Sequence, residues 1–380
     1  MIYLDCAATT PLDPRVWTAM QPYFQEQFGN PSSALHSLGW QAEKALSQAR
    51  QTCKNALSAQ DYDLFFTSGA TESNNWALRG LVEQCRLQHP QDPIHILSSP
   101  IEHAAVGETL RHLQKLHGEF LQIEFVPCQS NGQIQVEDVE KRIRSNTRLL
   151  SFMWVNNELG TINPISELTE LAKQNQIYLH TDATQAPGKV TVNLQQTPVD
   201  LLALSAHKIY GPKGTGALLI RKRNPRVSIT SLLVGGGQEL GQRAGTVNVA
   251  GAVGLAKALE LVQELKQEDT LHAQSLRAEF LMGLAKSGLE FKLNGSPEGV
   301  ASIINLQLLN VTAHKSFSGL AYSQGSACHS HEIGGSPVLK AIGLANSDAE
   351  RSFRFSWGRQ TVAADIAKAV EILSAQIQKT

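Results

Sequence analysis

The chain has 380 residues, enough for a sizeable core and for two domains, and its 42% hydrophobic and 18% charged residues are ordinary for a globular protein. Its 33 lysines and arginines nearly cancel its 34 aspartates and glutamates, which points away from a direct nucleic-acid partner and from an anionic membrane surface. Five cysteines without CxxC spacing speak against a structural zinc site and a disulfide framework, and no apolar run is long enough to span a bilayer or serve as an N-terminal leader, so the expected setting is cytoplasmic and reducing, with no membrane association.

Residues 2–4 read as a short strand, and Pro14 opens a helix over 15–27 with Asp13 as its cap. The turn Phe28-Gly-Asn-Pro-Ser-Ser33 precedes a long helix over 37–58. Asn30 in that turn is suited either to gripping a ligand or to satisfying its own backbone. A strand at 63–66 runs into Thr67-Ser-Gly-Ala-Thr-Glu-Ser-Asn74, followed by a helix at 75–84. Such a glycine turn with hydroxyls at a helix start is either a capping turn or a set of N–H groups presented to an anion, and it is neither a Walker A box nor a GxGxxG fingerprint.

Further strands are expected at 94–97, 123–126, 147–155, 176–185 and 199–205, with helices ending near 115 and spanning 132–143 and 165–174. Apolar strands alternating with helices argue an α/β domain with a largely parallel sheet, in which ligands collect beyond the carboxyl ends of the strands. Thr71, His103, Asn157, Asp182, Gln185 and His207 all follow strands.

The centre of this pattern is Ser205-Ala-His-Lys-Ile-Tyr-Gly-Pro-Lys-Gly-Thr-Gly216, which puts Lys208 in a Gly/Pro-rich turn between apolar runs. A lysine there is either a surface residue of a tight turn or a Schiff-base nucleophile. Asp182 is placed either to cap its strand end or to pair with a protonated ring nitrogen. His103 is either a satisfied surface or core histidine or lies against a ring, and Thr71, Ser205 and His207 are placed to hold a phosphate. Together these are the parts of a pyridoxal-phosphate site.

After a glycine-dense stretch at 231–246, helices over 249–265 and 270–284 read as a bridge to a smaller α/β domain, with strands at 301–306, 320–322 and 352–356 and a last helix at 361–377. The expected division is a large cofactor-binding domain over 15–258 and a smaller domain made of 1–14 and 259–380. Cys328 lies in the polar, glycine-rich segment Gly325-Ser-Ala-Cys-His-Ser-His331, where His329 and His331 favour a thiolate if the fold turns them toward the sulfur. A His/Cys metal site there lacks a carboxylate at metal spacing, so no metal is expected. Arg354 and Arg359 flank Phe355-Ser-Trp-Gly358, and either can fork onto a carboxylate or form an interdomain salt bridge.

The motifs Leu4-Asp-Cys-Ala-Ala-Thr-Thr-Pro11, Thr67-Ser-Gly-Ala-Thr-Glu-Ser73, Val155-Asn-Asn-Glu-Leu-Gly160, Asp182-Ala-Thr-Gln185, Ser205-Ala-His-Lys208, Arg243-Ala-Gly-Thr246, Gly325-Ser-Ala-Cys328 and Phe353-Arg-Phe-Ser356 occur in order along the whole chain. The sequence thereby resembles the cysteine desulfurases of the NifS and IscS type, within the class V aminotransferase superfamily. The resemblance implies the type I pyridoxal-phosphate fold, a homodimer, and pyridoxal 5'-phosphate held by Lys208. It further implies His103 stacked on the ring, Asp182 on the ring nitrogen, Gln185 on the phenolic oxygen, and Ala70, Thr71, Ser205 and His207 around the phosphate. Thr246 would reach the phosphate of the neighbouring subunit, Asn157 would support cofactor and substrate, and Asn30 and Arg354 would hold the carboxylate of L-cysteine. Cys328 would take the sulfur as a persulfide, release L-alanine, and pass sulfur to a protein acceptor such as an iron–sulfur scaffold or a sulfur carrier. Trp154 stands where a histidine is frequent, and the segments 312–319 and 329–337 depart from the common pattern, which leaves the acceptor open. A selenocysteine lyase, a cystine or cysteine C–S lyase and an inactive assembly scaffold are the competing readings.

Overall fold

The computed structural model describes residues 1–311, 315–324 and 335–377. The chain begins with β1 (Ile2–Tyr3), α1 (Pro14–Met20), α2 (Pro22–Gln25) and α3 (Ser37–Ala56). The helix expected over 15–27 is thus two helices. Pro22 has no N–H to continue the first ladder and instead opens the second. Along α3, Ala42, Ala45, Leu46, Ala49 and Cys53 form a buried face of mostly small residues.

The alternating region follows as β2 (Tyr62–Thr67), α4 (Ala70–Gln88), β3 (Ile94–Ser98), α5 (Ala104–His117), β4 (Leu121–Phe125), α6 (Val136–Glu140), β5 (Thr147–Ser151), α7 (Ile165–Gln174), β6 (Tyr178–Asp182), β7 (Leu201–Ser205) and β8 (Gly216–Arg221). These strands form one seven-stranded sheet in the order β2-β8-β7-β6-β5-β3-β4. Neighbours from β7 through β4 are parallel, while β8 runs antiparallel to both β7 and β2. The exception has a simple cause: the connection from β7 to β8 is residues 206–215, with one short 3-10 helix, and is too short for the crossover that parallel pairing requires. Strands β3 and β7 are buried throughout, as expected for a sheet covered on both faces.

Next come α8 (Val249–Glu264), α9 (Lys266–Lys286), β9 (Phe291–Asn294), β10 (Ile303–Leu308), β11 (Leu320–Ala321), α10 (Pro337–Ala341), α11 (Asn346–Ala349), β12 (Ser352–Ser356) and α12 (Ala363–Ile377). Strands β12, β10 and β9 make an antiparallel sheet, and β1 pairs in parallel with β11. Phe280, Phe353, Phe355 and Trp357 are at the centre of the core beside this second sheet. Asp5 bridges to Ser356, so the first residues of the chain return to the last strand. No helix among the described residues is long and apolar enough to cross a membrane.

Candidate active site

The chain leaves β2, β3, β5, β6 and β7 into the lining of one cavity of about 440 Å³. Ala70, Thr71, His103, Asn157, Asp182, Gln185, Ser205, His207, Lys208 and Arg354 all line it. The expected crevice is therefore assembled, and the volume suits a cofactor with a small substrate.

The end of the cavity at the start of α4 is built by close backbone approach. Gly69 caps α4 at φ 151° and ψ 179°, a conformation open essentially to glycine alone. A Cβ on Gly216 would lie 2.4 Å from the Leu204 carbonyl oxygen and 2.6 Å from the Gly69 Cα, so β8 and the 68–69 turn touch through two glycines. This sets the first turn of α4, with its N–H groups and the Thr71 hydroxyl, beside Ser205. The helix starts five residues before the sequence pattern predicts, because Ser73 and Asn74, polar as they are, point inward and are fully buried. Glu72 accepts from Ser68 N at 2.7 Å and forks onto Arg243 at 2.9 and 3.1 Å. Burial raises the Glu72 pKa, but the bonds from Arg243 and Ser68 outweigh it and hold the carboxyl below its usual range. His207 Nδ1 lies 3.1 Å from Thr9 Oγ1. Burial, reinforced by Lys208 and Lys213, pushes His207 down to about 4, which leaves the imidazole neutral.

At the end of β6, Asp182 Oδ1 accepts from Thr184 N at 2.9 Å and Oδ2 from Asn74 Nδ2 at 2.7 Å. Lys208 Nζ donates to the carbonyls of Ala7 and Ala8, both at 2.7 Å, and Gln185 Nε2 donates to Ala7 O at 2.9 Å. His103 is the N-cap of α5: its Nδ1 accepts from Ala105 N at 3.1 Å, which fixes the ring at the cavity wall. The N-terminal box thus has a structural task. Residues 7–10 thread across the site, and Thr10 N and Oγ1 both donate to His207 O, at 2.9 and 3.0 Å.

Arg354 reaches in from β12 and is 1% exposed. Its Nη2 donates to Asp5 Oδ1 at 2.7 Å and Ser323 Oγ at 2.9 Å, and Nη1 to Asn157 O at 2.9 Å. Nε is buried and has no hydrogen-bond partner among the described residues. Arg359 takes the salt-bridge alternative: Nε donates to Asp269 at 2.8 and 2.9 Å, and the guanidinium stacks on Tyr210 with 4.4 Å to the ring centroid.

Two expected residues stand apart from the cavity. Asn30 is exposed, and its Oδ1 accepts from Ser32 N at 2.9 Å, the turn-satisfying option. Thr246 is exposed and outside the cavity lining. Cys328, His329 and His331 lie outside the described residues. Sequence reasoning missed Asp5 and Ser323, which bond to Arg354, and Asn74, which bonds to Asp182; it also missed His180 and Ser151 behind Asn74, and Glu102 beside His103. The one signal for them was His180-Thr-Asp182, two polar residues on the same face of an otherwise apolar strand.

The residues fit pyridoxal phosphate. Gln185 Oε1 and Thr184 Oγ1 are buried at the cavity wall with no hydrogen-bond partner among the described residues, and such orphaned atoms are what a bound polar ring satisfies. A carboxylate with two donors already in place stands at one side, and a helix start with Ser205 and His207 at the other.

Comparison with known proteins agrees with this geometry. The chain is 39% identical over 382 residues to "Cysteine desulfurase IscS" of Rickettsia felis, an alignment that covers 100% of this chain and 91% of that protein. Among solved structures, a "NifS-like protein" superposes with a TM-score of 0.89 at 32% identity over 100% of both chains. "SspA in complex with cysteine" superposes with a TM-score of 0.82 at 32% identity, covering 95% of this chain and 100% of that one. The model of the family described as aminotransferase class-V matches residues 2–368, and the chain belongs to that family.

Proposed function

We infer that this protein is a pyridoxal-phosphate-dependent cysteine desulfurase that converts L-cysteine to L-alanine and supplies sulfur for iron–sulfur cluster or other thio-cofactor synthesis. The observation that carries the reading is the convergence of Lys208, His103, Asp182 and Arg354 on one cavity beside an anion-binding helix start. When bound, pyridoxal phosphate supplies an electron sink for the bond-breaking at the substrate's α-carbon.

The chain's own residues divide the remaining work. The α4 start, Ser205 and His207 hold the phosphate, and Asp182 holds the ring nitrogen in its protonated form. Lys208 anchors the cofactor and then moves the α-proton, a role supported by its place between the ring site and the carbonyls of Ala7 and Ala8. Arg354 receives the substrate carboxylate, with Asn157 beside it. Sulfur acceptance falls to Cys328. Burial raises the thiol pKa of Cys6, Cys53, Cys85 and Cys128, which argues against a ready thiolate at each of these.

The larger body spans 15–258 and the smaller 1–14 with 259–380. Buried residues of α8 belong to the larger core as far as Val262, and α9 joins the smaller core from Ala273 on, which supports a division in this stretch a few residues beyond 258. We also propose a cytoplasmic homodimer that hands sulfur to a protein acceptor. Exposed Trp17, Phe24, Phe28, Leu35 and Trp40, with Val234 and Leu240 near Thr246, support a self-association face.

The test is product analysis with L-cysteine. The expected result is L-alanine with one sulfur per turnover, and sulfur transfer abolished in Cys328→Ala while the cofactor stays bound. Undiminished transfer in that variant would remove Cys328 from the mechanism. Pyruvate and ammonia instead of alanine would replace desulfuration by elimination, and a preference for selenocysteine would make the enzyme a lyase for that substrate.

A further inference from the structure

Behind Asp182 lies a buried polar chain running across two strands and a helix. His180 and Asp182 are two apart on β6, so both project to one side of the sheet, where Asn74 of α4 meets them. Ser151 is the register partner of His180 on β5. Asn74, Ser151 and His180 are each 0% exposed.

Hydrogen-bond chemistry leaves one arrangement for this chain. A terminal atom of Asn74 lies 2.7 Å from Asp182 Oδ2. An amide oxygen there would oppose a carboxylate oxygen, so the amide nitrogen faces Asp182. The Asn74 oxygen then faces His180 Nε2 at 3.0 Å, and that nitrogen must carry a proton. Burial pushes His180 down to about 4 against the pull of the Asp182 charge, so the ring is neutral and Nδ1 accepts. The Ser151 hydroxyl, 2.9 Å from Nδ1, is its donor, and Ser98 Oγ donates to the Ser151 carbonyl at 2.9 Å.

We propose that His180 and Asn74 are positioning residues for Asp182: an imidazole held in one tautomer by Ser151 orients an amide whose N–H keeps the carboxylate aimed at the cofactor's ring nitrogen. This rests on the reading of Asp182 as the ring-nitrogen partner. With Asn74 on Oδ2 and Thr184 N on Oδ1, each oxygen has one committed donor, and the carboxylate cannot rotate without breaking both. If these side chains merely filled space, their effect on the cofactor would not pass through Asp182.

The test uses the full chain and follows cofactor dissociation and the visible absorption band of the bound cofactor. Asn74→Ala is expected to weaken cofactor retention on the order of tenfold, the scale of a hydrogen bond to a charged group, and to shift the band. Asp182→Ala should weaken it more, and the double variant should be no worse than Asp182→Ala alone. His180→Leu should behave as Asn74→Ala does. His180→Gln, whose amide N–H reaches the place of Nε2–H, should restore most of the loss. In the cofactor-free wild type, ¹⁵N shifts of His180 should report the Nε2–H tautomer, a readout that needs no variant to fold. An Nδ1–H tautomer, or a loss from Asn74→Ala that persists in full in the Asp182→Ala background, overturns the proposal alone. A silent Asp182→Ala overturns the ring-nitrogen reading and the proposal with it.

Discussion

The two ends of the cavity are built on different principles. The ring and phosphate end belongs to the large sheet, where Asp182, Ser205 and the start of α4 are fixed by backbone and by buried neutral partners. Glu72 lies at that helix start, with its carboxylate held by Ser68 N and Arg243. The substrate end belongs to the second sheet, and Arg354 already pairs with the carboxylate of Asp5 at 2.7 Å. An incoming carboxylate meets a guanidinium with one anion in place and its Nε without a partner among the described residues. On the proposed function the first end holds the cofactor, while the second presents to the substrate a guanidinium that Asp5 already orients.

The largest effect that sharpens this contrast is at Lys208. Lys208→Ala should lower alanine formation from L-cysteine by a factor on the order of 10³ or more, with the thermal midpoint little changed. Alanine formation within tenfold of wild type would remove Lys208 from the proton-moving role. Next is Arg354→Lys, which keeps the charge and loses the planar fork. KM for L-cysteine should rise by roughly 10- to 100-fold while cofactor dissociation stays unchanged, since the two ends are separately supported. Altered cofactor retention with an unmoved KM would break the comparison. Asp5→Asn should raise KM only several-fold by loosening Arg354, and adding it to Arg354→Lys should cost nothing further. An additive double variant would show that Asp5 acts elsewhere.

The large sheet and its site were legible because their signals are local. Apolar strands delivered Asp182, Ser205 and Lys208 to the same edge, and strand ends are where such a sheet collects ligands. What the sequence hid was contact at a distance. Asp5 and Arg354 are 349 positions apart, and their pairing depends on β1 returning beside the second sheet. Asn74, Ser151 and His180 sit on three elements, and each looks like an ordinary polar residue until α4 crosses β6. The start of α4 was misread for the same reason: Ser73 and Asn74 resemble loop residues, yet Ser73 Oγ bonds Thr67 Oγ1 at 2.8 Å inside the core. Asn30 went the other way, its amide spent on its own turn.

The smallest expected effect concerns Glu102, the residue before His103, and separates the stability of the ring end from its chemistry. Glu102 Oε1 accepts from Ser99 Oγ at 2.6 Å and Met153 N at 2.9 Å, while Oε2 is buried without a partner. Burial pushes its pKa up to about 8, aided by the Asp182 charge and opposed by the two donors. Between the ordinary carboxyl range and about 8, the folded chain therefore holds a proton that the unfolded chain has released. The stability linked to this proton is fully present below the unfolded pKa and is lost as pH rises through the folded one. Glu102→Gln keeps an oxygen for Ser99 and Met153 and removes the titration. The wild-type thermal midpoint should fall relative to the variant by a few degrees between pH 5 and pH 8.5, with the two closest at the acid end. His180 and His207, both pushed down to about 4, give the opposite slope as pH falls below the ordinary histidine range, and they do so equally in both proteins. The difference between the two curves thus isolates Glu102, and parallel curves across that range would mean that the carboxyl ionises in place beside Asp182.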